Sequence, residues 1–265
     1  MSEVVTNKLM HDVHGDVDYG LVSIIMPNFN SESFIERTID SVIAQKYKNW
    51  ELIVVDDCST DNSLSIVKSY RDDRITVTKN EVNSGAAKSR NVAIHEAKGM
   101  WIAFLDSDDV WCENKLTDHL SFMVKRGVDF SFTHYSVING SDEHIVDFTP
   151  MKSIYTYTDI LKHCSIGCST VIYNANSLGK VYMPEDAIKR EDFACWLKIL
   201  STGVNAECLH QKLTSYRVHG NSVSSNKFKM VKYQWKVYRD VQKLSVFKSA
   251  YFMCHWAIRG LLKYA

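Results

Sequence analysis

The sequence predicts an α/β fold with a mostly parallel central sheet flanked by helices. Apolar runs of strand length alternate with segments of helical periodicity between residues 22 and 105, and short connections join them. The run Trp101–Leu105 is apolar at every position, which is typical of a strand covered on both faces. A chain of 265 residues is long enough for one sizeable domain with an appended segment.

The first half of the chain is predicted to alternate strictly between strands and helices. Pro27 and the residues that follow it are expected to end the first strand. The next segment places Ile35, Ile39, Val42 and Ile43 on one side at a helical period. The predicted strands span residues 22–26, 51–55, 74–78 and 101–105, and helices follow the first three, the second ending near residue 70 and the third near residue 99.

The second half is predicted with less regular spacing. A helix follows Asp109 and carries Leu116, Leu120 and Met123 on one face. Residues 135–160 are rich in turn-forming residues and predict no element. Another helix follows Glu191 and Asp192. Strands are predicted over residues 128–133, 168–173 and 204–208, and residues 216–224 are predicted to be a polar loop.

Polar residues follow three of the predicted parallel strands. The carboxyl ends of such strands meet at one edge of the sheet, which is where ligands bind in open α/β sheets. We therefore expect these side chains to converge on a nucleotide-type pocket. The three sets are Pro27 with Asn28, Asp56 with Asp57, and Asp106 with Asp108.

The cluster Asp106-Ser107-Asp108-Asp109 has two interpretations. Mg²⁺ and Mn²⁺ bind one or two carboxylates together with substrate phosphate oxygens, so the cluster suits a metal site. Asp and Ser also favour helix starts and turns, and a helix is predicted nearby, so the cluster also suits a cap. Taken with the acids elsewhere in the chain, the pattern favours the metal site and leaves only Asp109 as the cap.

Two common phosphate-binding motifs are excluded. No G-x-G-x-x-G follows the first strand, which disfavours a dinucleotide-binding fold. The stretch Gly85–Ser89 has no Gly directly before its Lys and fails the spacing of a P-loop. A diphosphate would therefore be held through a metal ion and basic side chains.

Composition narrows the class of protein further. The formal net charge is zero, with 31 basic and 31 acidic residues, so no overall field favours nucleic acid, and we expect no nucleic-acid partner. The seven cysteines have no framework spacing, which indicates reduced thiols and argues against a structural zinc site. Residues 1–20 are polar and acidic without an apolar core, and are expected to be a flexible leader rather than a signal peptide.

The C-terminal segment 226–265 differs in charge from the rest of the chain. It holds nine Lys or Arg and one acid, Asp240, with aromatic residues between the cations. Such a helical segment suits a membrane interface. It equally suits a helix that packs on the preceding domain and exposes a basic face. Both interpretations stay open at this point.

Six motifs follow one another along the chain: SIIMPNFN, VVDDCSTDNS, NSGAAKSRN, FLDSDD, KREDFACWL and YRVHGNSVS. Their order resembles that of family 2 glycosyltransferases, which have the Rossmann-like GT-A fold. The resemblance covers about residues 21–225, the expected catalytic domain, and extends to bacterial enzymes that build O-antigen and other surface polysaccharides.

The resemblance implies a role for each motif residue. Asp192 is the expected general base, with Glu191 orienting it or sharing its role. Asp108 is the expected direct metal ligand, Asp106 lies by the ribose or the metal, and His219 completes the metal shell or touches the diphosphate. The other residues implied to bind the nucleotide sugar are Pro27, Asn28, Asp56, Asp57, Gly85, Arg90, Ser107 and Arg217.

The resemblance also implies the reaction and its participants. These are an inverting transfer from a UDP-sugar, Mn²⁺ or Mg²⁺ as cofactor, and a saccharide acceptor for which an undecaprenyl-diphosphate-linked form is one candidate. The expected location is the cytoplasm, with peripheral attachment to the inner face of the membrane through residues 226–265. Two alternatives remain: a nucleotidyltransferase with a similar pocket, and a non-catalytic protein that binds sugar nucleotides.

At a helix start, Asp192 is expected to have a lowered pKa.

Overall fold

A mixed sheet of ten strands forms the centre of the molecule in the computed structural model, which describes residues 10–11, 17–219 and 227–262. A separate two-stranded ribbon joins β1 to β2. The strands are β1 (Met10–His11), β2 (Val17–Asp18), β3 (Val22–Asn28), β4 (Trp50–Asp56), β5 (Ile75–Lys79), β6 (Trp101–Phe104), β7 (Val110–Trp111), β8 (Phe130–Ile138), β9 (His144–Phe148), β10 (Ile154–Tyr155), β11 (Ile172–Asn174) and β12 (Ala206–Arg217).

The order along the sheet is β10-β12-β8-β11-β6-β3-β4-β5, with β7 beside β12 and β9 beside β8. The strands β5, β4, β3 and β6 run parallel, as predicted for the first half of the chain. β11 enters antiparallel between β6 and β8, and β8 pairs in parallel with β12. This arrangement confirms the predicted α/β class.

The prediction that Pro27 ends the first strand was wrong, because β3 continues to Asn28. β3 pairs with β6 only as far as Ile25, opposite Phe104, so the ladder on that side has ended before Pro27. On the other side Pro27 stands opposite Val55 of β4. A proline fits a strand where its missing N–H is not needed by a neighbour.

The second half of the sheet differs most from the predictions. Residues 168–173 were predicted as one strand, but Cys168–Thr170 forms a 3-10 turn and only Ile172–Asn174 forms β11. Thr170 Oγ1 donates to the carbonyl of Gly167 at 2.7 Å, a local bond that competes with strand pairing. β12 runs from Ala206 to Arg217, beyond the predicted strand 204–208 and into the start of the predicted loop 216–224, because β8 pairs with it over almost its whole length.

Helices cover both faces of the sheet. Alternate residues of the central strands enter two separate apolar cores, with Ile25 and Phe104 on one side and Ile24 and Ala103 on the other. The helices are α1 (Ile35–Ile43), α2 (Ser63–Ser69), α3 (Ala86–Glu96), α4 (Lys115–Arg126), α5 (Tyr157–Lys162), α6 (Ala175–Leu178), α7 (Glu191–Leu200), α8 (Lys227–Lys236) and α9 (Val246–Leu262).

The C-terminal segment packs against the rest of the structure through Tyr238 and Phe252. Tyr238, in the π-helical turn between α8 and α9, is fully buried and donates from its hydroxyl to the carbonyl of Leu161 in α5 at 2.6 Å. Phe252 of α9 joins the same core. Among the described helices, none combines the length and the apolar character that a membrane crossing requires.

Candidate active site

The carboxyl ends of β3 and β4 are held together by a buried polar network. Asn28 and Asp56 are both almost fully buried, and Asn28 Nδ2 donates to Asp56 Oδ1 at 2.7 Å. Asn28 Oδ1 accepts a hydrogen bond from Ser31, and Asp56 Oδ2 accepts one from the backbone of Ser59 at 3.2 Å. The two side chains are bonded to the protein itself, whereas the neighbouring Pro27 is partly exposed at the edge. Asn28 and Asp56 therefore set the shape of this edge.

Asp57 fixes the start of α3 in the same way. Its carboxylate accepts from the backbone N–H of Ser84 at 2.8 Å and of Gly85 at 2.7 Å, and from Asn80 Nδ2 at 2.8 Å. Gly85 has a φ of +86°, and no heavy atom lies within 4 Å of where a Cβ would stand. The backbone here thus faces open space, in a conformation that suits glycine.

The Asp106–Asp108 turn follows β6 and is fixed by two neighbouring elements. Thr38 of α1 donates from its hydroxyl to the carbonyl of Ser107 at 3.0 Å. Ser169, in the 3-10 turn before β11, accepts from the backbone N–H of Asp106 at 3.0 Å. Both hydroxyl groups are buried, so the turn is held rigidly while its carboxylates remain partly exposed.

Asp108 lies against His219 at the open side of this turn. His219 Nε2 is 3.0 Å from Asp108 Oδ2, and the two side chains are 25% and 30% exposed. Burial and the neighbouring charge of Asp106 raise the pKa of Asp108, while the hydrogen bond with His219 lowers it. A pair of crowded carboxylates with an imidazole beside them is a donor set that fits a divalent cation such as Mn²⁺.

Asp106 is engaged by a positive charge of the protein itself. Its Oδ1 lies 2.5 Å from a terminal nitrogen of Arg90. Within the described part of the chain, Asp106, Asp108 and His219 do not bring three ligand atoms within 4.8 Å of one another. Asp108 and His219 are therefore the residues best placed to hold a cation, with Asp106 adjacent.

Asp109 is not a helix cap, contrary to the prediction. α4 begins at Lys115, with Asn114 as its N-cap, whereas Asp109 is 1% exposed in the preceding turn. It accepts from Ser169 Oγ at 2.5 Å and from the backbone N–H of Arg217 at 2.9 Å. Burial and the charges of the two neighbouring acids raise its pKa well above the ordinary value. Asp109 thus fastens the turn to β12.

Arg217 serves the same turn from the other side. Its Nε donates to the carbonyl of Asp108 at 2.7 Å, and one terminal nitrogen pairs with Asp142 at 2.6 Å. The guanidinium lies 4.8 Å from the centre of the Phe34 ring, and the residue is 1% exposed. Its side chain is used in positioning the backbone of Asp108.

Arg90 connects the two acidic motifs of the chain. From α3, one terminal nitrogen lies 2.5 Å from Asp106 Oδ1 and the other 3.3 Å from Glu191 Oε1. The Arg90 side chain is only 7% exposed. Burial opposes its charge, but the carboxylates of Asp106 and Glu191 raise its pKa well above the ordinary value. Residues more than eighty positions apart in sequence are thereby assembled into one site.

Asp192 follows Glu191 in the first turn of α7 and is oriented differently. Its Oδ1 accepts from the backbone N–H of Phe193 at 2.6 Å. The prediction of a lowered pKa was wrong: burial, together with the charge of Glu191, raises the pKa of Asp192 despite Arg190 and the helix start. A carboxylate with a raised pKa binds a proton more strongly, so Asp192 is a better base than its helix position suggested.

The predicted residues therefore fall into two adjoining groups. One surrounds the ends of β3 and β4, and the other joins the Asp106–Asp108 turn to α7 and His219. Because β3 pairs with both β4 and β6, the groups share one edge of the sheet. Thr38 and Ser169 were not predicted as part of the site, because their only sequence signal is a hydroxyl within an otherwise ordinary segment. The whole edge can hold a nucleotide, a cation and a base at neighbouring positions.

Comparisons with known proteins identify the family of this chain. The family model described as "Glycosyl transferase family 2" matches residues 23–176. The putative teichuronic acid biosynthesis glycosyltransferase TuaG of Bacillus subtilis (strain 168) is 41% identical, over 92% of this chain and 97% of its own length. The Escherichia coli UDP-Glc:alpha-D-GlcNAc-diphosphoundecaprenol beta-1,3-glucosyltransferase WfgD is 40% identical, over 94% and 96%.

Solved structures share the fold. S. aureus TarS 1–349 in complex with UDP superposes with a TM-score of 0.65 at 25% identity, over 88% of this chain and 69% of that one. The mannosyltransferase PcManGT from Pyrobaculum calidifontis, in complex with GDP-Man and Mn²⁺, gives 0.65 at 18% identity, over 85% and 65%. These structures share the fold, and the family model and the relatives favour a glycosyltransferase over the nucleotidyltransferase alternative. The chain belongs to glycosyl transferase family 2.

Proposed function

We propose that this glycosyltransferase is a metal-dependent, inverting enzyme that moves a sugar from a UDP-sugar to a hydroxyl of a lipid-linked saccharide during bacterial surface polysaccharide synthesis. One observation carries the proposal. Arg90 bonds both Asp106, beside the cation-binding pair, and Glu191, beside the proposed base. The groups needed on the two sides of a reacting sugar are therefore assembled around one buried side chain.

The proposed reaction is a single displacement. Asp192 takes the proton of the acceptor hydroxyl, and the acceptor oxygen forms a bond to the anomeric carbon. The bond from that carbon to the diphosphate oxygen breaks on the opposite face, and UDP leaves. One base without a carboxylate nucleophile gives inversion, by the logic established for glycosidases. Glu191 holds Arg90, and through it Asp106, while Asp192 acts.

Asp108 and His219 would hold the divalent cation, with Asp106 beside them. A bound cation stabilises the negative charge that grows on the departing diphosphate. The protein's own contribution is the rigid turn, which Thr38 and Ser169 hold from two sides. Imidazole with carboxylate oxygens suits Mn²⁺ better than Mg²⁺, which prefers oxygen ligands alone.

The relatives support the donor, the acceptor and the stereochemistry. WfgD and WfaP of Escherichia coli, the latter 38% identical over 92% of this chain and 95% of its own length, are both named for UDP-Glc, a diphosphoundecaprenol acceptor and a β-1,3 product. UDP-Glc carries glucose in the α configuration, so a β product means inversion. We extend to this chain a UDP-hexose as donor and an undecaprenyl-diphosphate-linked saccharide as acceptor.

Metal-dependent binding of UDP is the first expected result. UDP should raise the melting temperature only when Mn²⁺ or Mg²⁺ is present, because the diphosphate meets acids that repel it without a cation. A free UDP concentration of about 100 times Kd should raise the free energy of unfolding by about 2.7 kcal/mol. Differential scanning fluorimetry with and without EDTA measures this effect.

The Asp108→Asn variant should lose that metal-dependent shift. The exposed Asp73→Asn change, which removes a carboxylate far from the turn in sequence, provides the matched control. Equal stabilisation by UDP in EDTA would contradict the assigned cation site. Running the same assay over a panel of UDP- and GDP-sugars identifies the donor.

The outward face of α9 suits contact with the membrane that would carry the proposed lipid-linked acceptor. Phe247 and Tyr251, one helical turn apart, are 87% and 52% exposed, although Phe252 beside them is buried. With Leu161 and Leu244 they line an apolar groove of about 490 Å³ between α5 and α9. Apolar aromatics on a basic segment suit the interface of an anionic membrane. The other side of α9 packs on the domain, which leaves this face free. Our proposal therefore includes a peripheral contact between this face and the membrane.

Replacing the exposed aromatics of α9 should release the protein from lipid vesicles. The double variant Phe247→Asp/Tyr251→Asp should bind vesicles containing anionic lipid at least about tenfold more weakly, because two aromatic side chains no longer enter the interface. Ile145→Asp on β9 is the matched control, since Ile145 is 52% exposed, like Tyr251. Vesicle co-sedimentation measures the difference, and undiminished binding by the double variant would exclude α9 as the contact.

A further inference from the structure

Three metal-ligating side chains meet on the sheet away from the Asp106–Asp108 turn. His134, Cys208 and His210 each offer a ligand atom, and these atoms all lie within 4.8 Å of one another. His134 belongs to β8, and the other two belong to β12, the parallel neighbour of β8. None of them is used in the proposed transfer reaction.

An irregularity in β12 brings the two histidines together. Leu209 stands opposite Thr133, but the next paired residue, Lys212, stands opposite His134, so the register shifts around His210. As a result His210 Nδ1 lies 3.1 Å from His134 Nε2. Bulges commonly redirect a side chain for a particular contact. This one explains why the sequence spacing gave no sign of a metal site.

The second nitrogen of His210 is already engaged in the manner of a metal ligand. His210 Nε2 lies 2.7 Å from Ser153 Oγ, and the carbonyl of Ser153 accepts from the backbone N–H of Cys208 at 2.7 Å. When Nε2 carries the proton and donates to the hydroxyl, Nδ1 presents its lone pair to the cluster. Ligating histidines usually have such a partner, which fixes their tautomer and orientation.

The burial of two ligands and the exposure of the third also suit a metal ion. Cys208 and His134 are 2% and 8% exposed, whereas His210 is exposed and leaves a route of entry. Burial, with the nearby His210 and Lys212, lowers the pKa of His134, so its ring is neutral near pH 7 and free to ligate. Burial raises the pKa of the Cys208 thiol to about 12, so binding a metal there releases a proton.

We propose that His134, Cys208 and His210 form a zinc-type site that clamps β8, β12 and the start of β10. One thiolate and two imidazoles suit Zn²⁺, not Mg²⁺, and three protein ligands leave a fourth position for water. Ideal tetrahedral zinc places nitrogen ligands about 3.3 Å apart and nitrogen and sulfur about 3.6 Å apart. The observed separations need only small side-chain movements to reach these values.

Cobalt and zinc titration tests the site directly. In the Asp108→Asn background, which disables the proposed cation site of the transfer reaction, Co²⁺ should produce a thiolate-to-cobalt charge-transfer band at about one equivalent per chain. Zn²⁺ should displace the cobalt and raise the melting temperature, because it binds only the folded state. The readout is spectroscopic, so it does not depend on the transfer reaction.

Matched variants decide the assignment. Cys208→Ser and, separately, the exposed His210→Ala should abolish the band and the zinc-dependent shift, whereas Cys254→Ser and His144→Ala, both at exposed sites, should leave them intact. A band that persists in Cys208→Ser, or no stoichiometric band in the parent, would overturn the proposal. Circular dichroism on His210→Ala confirms that a lost band reflects the ligand and not the fold.

Discussion

Asp192→Asn should bind UDP-sugar as the parent enzyme does and lose transfer activity by at least about 10²-fold. The amide keeps the size and the contact with the backbone of Phe193, but it cannot accept the proton of the acceptor hydroxyl. The effect should therefore fall on kcat and leave the affinity for the donor unchanged. Steady-state assays with a lipid-linked acceptor, paired with thermal shift by UDP, separate the two quantities.

The dependence of kcat/KM on pH is a second measurement that tests Asp192 as the general base. Asp192 is active only when ionised, so kcat/KM should rise with pH through its pKa and level off above it. Because burial and Glu191 raise that pKa, the rise should lie above the ordinary aspartate value of 3.8. The residual rate of the Asp192→Asn variant should not show this rise with pH. The exposed Asp186→Asn change, six residues earlier, is the control that should leave both rate and profile intact. Near-parental turnover by Asp192→Asn would assign the base elsewhere.

Periodicity and apolar runs predicted the parallel half of the sheet well, because β3, β4 and β6 are buried on both faces and their composition shows it. The same signal is weak in β12, where Glu207 and the run from His210 to Lys212 are polar and partly or fully exposed. Such a strand is specified by its pairing with β8, a long-range contact that local sequence does not encode. The 3-10 turn at Cys168–Thr170 was missed because hydroxyl bonding replaces strand pairing there.

In the candidate site, too, local sequence predicted some features and tertiary contacts determined the others. The acidic motifs were visible in the sequence because carboxylates after strands and at a helix start are compositional signals. Their connection through Arg90 was not visible, since it depends on how α3 and α7 approach the end of β6. The raised pKa of Asp192 was mispredicted for a related reason: the helix start is local, whereas the burial that chiefly raises the pKa arises from the tertiary structure.

Arg90→Met should have the largest effect on stability among the variants considered. Methionine is unbranched like the stem of arginine, but it is shorter and uncharged, so it leaves Asp106 and Glu191 close together without their shared cation. Removing one partner of a buried ion network costs about 3–5 kcal/mol, and the partial exposure of the two acids places the expected loss toward the lower end. Arg126→Met is the control, because its bridge to Glu207 is largely exposed on the arginine side and should contribute about 1 kcal/mol or less. Urea denaturation measures both losses.

A combined variant separates the two roles that Arg90 can have. If Arg90 chiefly bridges the acids, then adding Asp106→Asn and Glu191→Gln to Arg90→Met should recover much of the lost stability, since no unpaired charge remains. Transfer activity should stay low, because the same substitutions remove the acids that position the site. If Arg90 instead contacts the diphosphate, as the motif resemblance implied, Arg90→Met should weaken UDP binding far more than it weakens folding. The neutral triple variant should then recover little of the lost UDP affinity. Arg90→Lys sharpens the distinction: one ammonium can pair with Asp106 or with Glu191 but cannot span both as the guanidinium does. A bridge therefore predicts that Lys restores only part of the stability, whereas a phosphate contact predicts that Lys restores most of the affinity for UDP.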